Sequence, residues 1–474
     1  MNPKLKIGLF GIGLDKYWSQ FPGLYERLEG YLNLIADKLN AHDAELFNIG
    51  IIDTPEKAFD AGAMFRKMDV DIIFLYVGTY ALSSTVLPVI RKAKVPVIIL
   101  NLSPGNAIDY DELDKLPDRN SRTKEWLAYC SACPVPEIAN VFKRSGISFF
   151  QVTGVIHNEE VWNEIDGWLD AANVANIMYY NRLGVMGNYY GGMLDIYSDL
   201  TLQCATFGGH IEVIEVDELS ALKQAVNESE IAAKLIDFKQ VFEIEEACSD
   251  YELKRAARTS VALDKLVDKH KLGSLAYYHK GLGNLLNEDT MSSVILGCSL
   301  LTATGIPVAG EYEIKNAQAM KIMDSFCAGG SFSEYYAMDY NDDVVLFGHD
   351  GPGHLAIAEG KIRVSPLKIY HGKTGAGLSV EMSVKNGPVT LLSVVETNNG
   401  KVMFLIAEAE SVPGPILKIG NTNSRYKFAI GAKKFVESWN SYGPAHHCAI
   451  GIGHIASKIT KLAQLINIET VQVC

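Results

Sequence analysis

A chain of 474 residues, 48% hydrophobic and 21% charged, is long enough for two to four globular domains. Its net charge of −13 and pI of about 5.4 argue against nucleic acid or an anionic membrane as the partner, because both select basic surfaces. No apolar run reaches the roughly 18–20 residues of a membrane helix, and the N-terminus lacks the apolar core of a signal sequence, so a cytoplasmic protein is expected.

In chain order, residues 6–12 read as a strand that ends in Gly11-Ile-Gly13. Leu24, Leu28, Leu32 and Ile35 then recur at helical spacing. Residues 71–77 and 95–100 are continuous apolar runs, as in strands covered on both faces, with a crossover helix expected over 82–93. This β-α-β alternation predicts a doubly wound parallel sheet. A long helix over 159–180 leads to a second unit of the same kind. Its strands are expected at 182–186, 211–216 and 274–278, and its helices at 228–238, 250–270 and 292–302. A Gly-rich turn, Gly187-Asn-Tyr-Tyr-Gly191-Gly192, follows the first of those strands.

After about residue 330 the texture changes. Runs at 391–396 and 402–407 flank Asn398-Asn399-Gly400, and Asn386-Gly387 and Glu359-Gly360 also sit between apolar runs. Asn-Gly between strands is a strong hairpin signal. The C-terminal third is therefore expected to be mainly antiparallel β, a barrel or sandwich, with short helices near 434–439 and 455–465. The expected fold is α/β: two doubly wound parallel-sheet domains, 1–172 and 173–328, then a β-rich domain, 329–474.

Several motifs point weakly to chemistry. Gly11-Ile-Gly13 follows a strand, but Lys16 stands where a dinucleotide fingerprint needs its third glycine, and tight-turn geometry is the favoured reading. His371-Gly372-Lys373-Thr374 looks like the end of a phosphate loop, yet Leu367 replaces the first glycine. Eight scattered cysteines suit a reducing compartment. Cys130-Ser-Ala-Cys133 lacks the second pair of a zinc site and is expected to hold two free thiols.

The stronger signal is a set of acids and imidazoles in short, Gly-flanked segments: Glu311, Glu334, His349 and His446-His447. Glu311 follows a short strand and leads into a helix, where α/β sheets place ligands. Taken singly, each has a bland alternative, the glutamate as a helix-dipole partner and the histidine as an ordinary hydrogen-bonding side chain.

A resemblance joins them. Gly-Glu311-Tyr-Glu-Ile-Lys-Asn-Ala is similar to Gly-Glu-Gly-Asp-Trp-Lys-Thr-Ala of the L-arabinose isomerase family. Ser-Phe-Ser-Glu334-Tyr-Tyr, Val-Leu-Phe-Gly-His349 and Gly-Pro-Ala-His446-His447 resemble that family's Ser-Phe-Met-Glu-Asp-Tyr, Val-Leu-Gly-Ser/Ala-His and Gly-Gly-Ala-His-His, in the same order. The resemblance covers most of 180–460. It implies a metal-dependent aldose–ketose isomerase of a pentose or related sugar, working by enediol proton transfer. One divalent ion per chain, Mn²⁺ first and Co²⁺ or Mg²⁺ next, is implied on Glu311, Glu334, His349 and His447, with Glu311 and Glu334 also catalytic. Oxygen and imidazole ligands without thiolate suit such ions. A homotrimer or homohexamer is implied as well.

The N-terminal segments that touch sugar in the family are diverged, with Gly13-Leu-Asp15-Lys16-Tyr17-Trp18 for Gly-Ser-Gln-His-Leu-Tyr and Cys133 for a histidine. Asp15, Trp18, Cys133 and His446 are therefore expected substrate contacts, and the identity of the sugar stays open. Two other readings stay open beside this one: a non-catalytic sugar-binding or regulatory homologue, and a nicotinamide-dependent sugar oxidoreductase.

Overall fold

In the computed structural model, which describes residues 4–281, 283–367 and 376–474, the apolar runs Ile72–Tyr76 and Val97–Ser103 lie side by side in a parallel sheet. They belong to the first of two compact units, Met1–Asn176 and Ile177–Cys474. Its five strands run in the order Ala44–Ile52, Leu5–Ile12, Ile72–Tyr76, Val97–Ser103, Phe149–Val155, all parallel. The helix Leu24–Leu39 buries Leu24, Leu28, Leu32 and Ile35, the stripe seen in the sequence. The helix expected over 82–93 begins later, as a 3₁₀ turn at Ser83–Thr85 and then Leu87–Ala93. Pro88 explains the delay, because proline is accepted in the first turn of a helix and not inside it.

Gly13 closes the first strand for a packing reason. A Cβ there would meet the Trp18 ring at 2.6 Å. Trp18 sits on the short helix Asp15–Gln20 and donates its indole N–H to Asp53 Oδ2 at 2.8 Å. The glycine is thus used to admit an indole rather than to make a tight turn, since neither Gly11 nor Gly13 has positive φ.

The second unit starts from a four-stranded parallel sheet in the order Val308–Ala309, Ser274–Tyr278, Arg182–Gly187, His210–Ile214. The helix Asp250–His270 covers it with an apolar stripe from Ala256 to Val267 and is capped by Ser249, whose side chain accepts from the Glu252 N–H at 3.2 Å. After the helix Ile314–Ser325 the chain builds an antiparallel ring. Gly387–Glu396, His447–Ile452, Gly329–Asp339, Val344–His349, Thr422–Lys427 and Val402–Val412 pair in that order, and the last pairs again with the first. The barrel alternative of the sequence reading is the one formed. Its Asn-Gly hairpin is present, with Glu396 opposite Val402. No described helix is long and apolar enough to cross a membrane. The segment 371–374 lies outside the described residues.

One expectation is corrected. Cys130 and Cys133 are joined in a disulfide, not held as two free thiols. The turn between Arg119–Leu127 and Val135–Arg144 brings their Cα atoms to 5.6 Å, within the span a disulfide needs. The other six cysteines are free. Alkylation of the unfolded, unreduced protein is therefore expected to label six cysteines, and eight after reduction, read by intact mass.

The ring is filled by buried aromatic and aliphatic side chains. Phe435 lies flat on Phe428, ring centroids 3.5 Å apart, and meets Trp439 at 5.6 Å. Phe435→Ala is expected to cost about 3–5 kcal/mol, measured as a fall in the denaturant midpoint of the second unit's transition.

Candidate functional site

Strand register assembles one rim of the barrel. Glu334 is opposite His447 on one neighbouring strand and opposite Gly348 on the other. Gly348 has no room for a side chain: a Cβ would stand 2.3 Å from the Thr422 carbonyl oxygen and 2.7 Å from the Tyr336 ring. That close passage sets His349 at the next position, where the strand ends. Phe332, two residues before Glu334 on the same strand, is almost fully buried. Its ring lies 4.5 Å from the His349 ring and 4.3 Å from that of His447, so one aromatic side chain buttresses both imidazoles.

Glu311 arrives from the parallel sheet, just past the C-terminal end of Val308–Ala309. It and Tyr312 hold left-handed backbone, φ 57° and 63°. Side chains with a Cβ adopt that region at a cost of order 1 kcal/mol or more each. Such strain persists only where the surroundings impose it, and here it aims a carboxylate at three imidazoles. Oε2 of Glu311 lies 3.7 Å from Nε2 of both His446 and His447, and Oε1 lies 3.9 Å from Nε2 of His349. Nε2 of His446 is also 4.0 Å from Oε2 of Glu334. Glu311, Glu334 and His349 line a cavity of about 620 Å³.

Each imidazole is oriented through its other nitrogen. His447 Nδ1 is 2.5 Å from Oε2 of the buried Glu313. His349 Nδ1 donates to the Asp350 carbonyl oxygen at 2.5 Å. His446 Nδ1 lies 2.5 Å from Asp195 Oδ2, which also accepts the His446 backbone N–H at 3.0 Å. Lys315 Nζ in turn donates to the Asp195 carbonyl oxygen at 2.5 Å, fixing the loop that carries the aspartate. This is how proteins prepare histidines as ligands: the outer partner sets tautomer and ring direction.

The charges follow from the packing. Burial disfavours the imidazolium of His446, but the Glu311 and Asp195 carboxylates outweigh it and push it up to about 9. Burial also works against the Glu311 carboxylate, yet His446, His447 and His349 hold it below the usual carboxylate range. For Glu334 burial wins, with Glu311 and Asp350 adding to the rise against the pull of His447 and His446, so its carboxyl is raised. Two carboxylates on one cavity are thereby set apart, one a fixed anion and the other able to take a proton.

Glu311 Oε2 and His447 Nε2 are buried without a hydrogen-bond partner. Leaving such atoms unpaired costs about 1–3 kcal/mol each, and an oxygen and an imidazole nitrogen so placed are donors that could hold a metal ion. Donor atoms of Glu311, His446 and His447 all lie within 4.8 Å of one another. The resemblance implied Glu311, Glu334, His349 and His447 as ligands and His446 as a sugar contact. All five lie along one rim, but the compact donor group among the described residues is Glu311, His446 and His447, with His349 and Glu334 each 3.9–4.0 Å from one of its members.

Asp15, Trp18 and Cys133 belong to the N-terminal unit. Asp15 is exposed, Trp18 has its N–H engaged by Asp53, and the Cys133 sulfur is in the disulfide. Sequence reasoning missed Glu313 and Asp195. Glu313 was within reach, two residues after Glu311 in the same motif. Asp195 lies 251 residues before its partner and carries no pattern.

In chelator-treated protein, the His446 imidazole is expected to titrate near pH 9 by proton–nitrogen correlation NMR. Asp195→Asn is expected to lower that midpoint, since one of the two carboxylates that favour the imidazolium is gone. An unchanged midpoint would remove Asp195 from the site.

Residues 329–469 match the L-arabinose isomerase C-terminal domain. Three curated relatives, each named L-arabinose isomerase, align over much of the chain. That of Aeromonas salmonicida is 21% identical over 68% of this chain and 66% of its own length. The Cellvibrio japonicus protein is 23% identical over 56% and 54%, and the Bacillus subtilis protein 21% identical over 71% and 68%. The alignments thus span about half to two thirds of these relatives. The matched domain holds the strands that carry Glu334, His349 and His447, and over residues 329–469 the chain is similar to the C-terminal domain of L-arabinose isomerases.

Proposed function

We propose that this protein is a divalent-metal-dependent aldose–ketose isomerase acting on a pentose, a 6-deoxyhexose or a hexose. The observation that carries the reading is the pair of buried, unpartnered atoms Glu311 Oε2 and His447 Nε2, 3.7 Å apart beside a cavity that Glu334 also lines. An oxygen and imidazole donor set without thiolate suits Mn²⁺, with Co²⁺ or Mg²⁺ as alternatives. Glu311, Glu334, His349 and His447 would hold the ion, with His446 at its edge. The bound cation supplies Lewis-acid stabilisation of negative charge on the sugar oxygens.

The residues supply the proton chemistry. Glu311, kept anionic by three imidazoles, serves as a ligand. Glu334, raised by burial, takes the proton from one carbon and returns it to its neighbour. His446, protonated through Asp195 and Glu311, presents Nε2 towards the same two carboxylates and serves the hydroxyl proton. Asp15, Trp18 and Cys133 are proposed to select the sugar. The working form is proposed to be a cytoplasmic homotrimer or homohexamer.

The test joins metal analysis to turnover. Purified protein is expected to hold about one divalent ion per chain, and Glu311→Gln or His447→Ala to lower that content sharply. Glu334→Gln is expected to cost roughly 10²–10⁴-fold in rate at saturating metal, with exchange of the sugar C2 proton in D₂O reduced in parallel. Wild-type exchange in that variant would take Glu334 out of the proton path. Unchanged metal content in both ligand variants would end the assignment of the site.

A further inference from the structure

Beside the carboxylates and imidazoles, the same cavity has a second polar wall. Tyr336, Asp350 and Asn421 line it together with Glu311 and Glu334. Asn421 is buried and fully used. Its Nδ2 donates to Tyr336 Oη at 2.8 Å and to Asp350 Oδ1 at 2.6 Å, while its Oδ1 accepts from Asn423 Nδ2 at 3.0 Å. Asn423 is buried in turn and grips both backbone polar groups of Leu417, at 2.9 and 2.8 Å. One amide therefore clamps a phenol and a carboxylate in fixed relation. The Tyr336 oxygen accepts from Asn421, which directs its own proton elsewhere. The Asp350 carboxylate can only accept.

Both ends of this wall are tied to the reaction centre. Tyr336 lies two residues after Glu334 on one strand, and the Asp350 carbonyl oxygen is the acceptor that orients His349. A donor and an acceptor bridged by a single amide match two neighbouring hydroxyls, one accepting from the phenol and the next donating to the carboxylate.

We infer that Tyr336 and Asp350, held by Asn421, read a vicinal diol of a polyhydroxylated substrate at the carbons remote from the proton transfer. This rests on the isomerase reading and adds to it a second set of residues, beside Asp15, Trp18 and Cys133, that selects among sugars. Polar walls of this kind discriminate, because a substrate lacking the hydroxyl forgoes a hydrogen bond to the half-buried phenol or carboxylate. Tyr336 and Asp350 touch hydroxyls that do not react, so they bind ground state and transition state alike, and their loss falls on KM with kcat held.

The experiment uses the full chain loaded with Mn²⁺ and two conservative variants, Tyr336→Phe and Asp350→Asn. Pentitols, which carry the diol but cannot isomerise, are titrated by calorimetry, and KM and kcat are measured on an aldopentose panel. The expected result is a pentitol affinity at least ~10-fold weaker and a KM raised to match in each variant, with metal content and melting midpoint as in the wild type. Two results would overturn the inference. In one, the wild type isomerises while both variants bind pentitols as it does. In the other, the variants lose melting midpoint but not affinity, which makes the triad a tie between strands only. A wild type that holds metal yet neither binds pentitols nor isomerises any aldose defeats the isomerase reading itself, and this assignment with it.

Discussion

The site depends on the pairing of one strand. Gly329–Asp339 is bonded on both sides, and its register sets Glu334 against His447 and Gly348 at once. Side chains alternate along a strand, so a slip of one residue would turn Glu334 to the opposite face. The register is enforced by contacts that tolerate no substitute: the ring core around Phe347, Tyr426 and Phe435, and the bare backbone of Gly348 against Thr422. The carboxylate and the imidazoles are therefore held to their separations by the barrel itself, before any ligand arrives.

On that frame the electrostatics are divided by depth. Glu313 and His447 are buried to 1%, while Asp195, His446 and Glu334 are nearer the opening. In a low-dielectric pocket an unpaired charge is costly and a paired one is strongly held. The buried end accordingly carries a carboxylate–imidazole pair that fixes geometry. The outer end carries groups whose proton occupancy responds to neighbours: His446 raised by two carboxylates, Glu334 raised by burial. Fixed geometry and movable protons are supplied by different residues of one cluster.

What the sequence made legible follows the strength of local signals. The helix Asp250–His270 and the strand Ser274–Tyr278 were readable to the residue, because long apolar periodicity and a cap act locally. The Asn-Gly turn foretold the hairpin between Gly387–Glu396 and Val402–Val412. The strand Ala44–Ile52 escaped: it is an edge strand with mixed exposure, so its pattern is neither a buried run nor a clean alternation. The Cys130–Cys133 bond escaped because residue spacing does not encode a turn, and only the fold-back between two helices decides the Cα separation. Of the site, Glu311, Glu334, His349 and the histidine pair were found by resemblance. Asp195 was not, since an aspartate in a single 3₁₀ turn looks like any other until tertiary structure brings it to His446.

The closed ring has a consequence for how the chain is made. Its strands are not taken in sequence order: Gly329–Asp339 waits for His447–Ile452, and His447 meets Glu313 across 134 residues. A ribosome-bound chain that has exposed Gly329–Asp339 and Val344–His349 but not His447–Ile452 carries an open barrel with unpaired edges, the form of β-structure most prone to pairing with the wrong neighbour. The same late strand brings the last two imidazoles. A chain exposed only as far as Val344–His349 thus presents Glu311, Glu334 and His349 without His446 or His447, and the cluster is complete only once the barrel is shut.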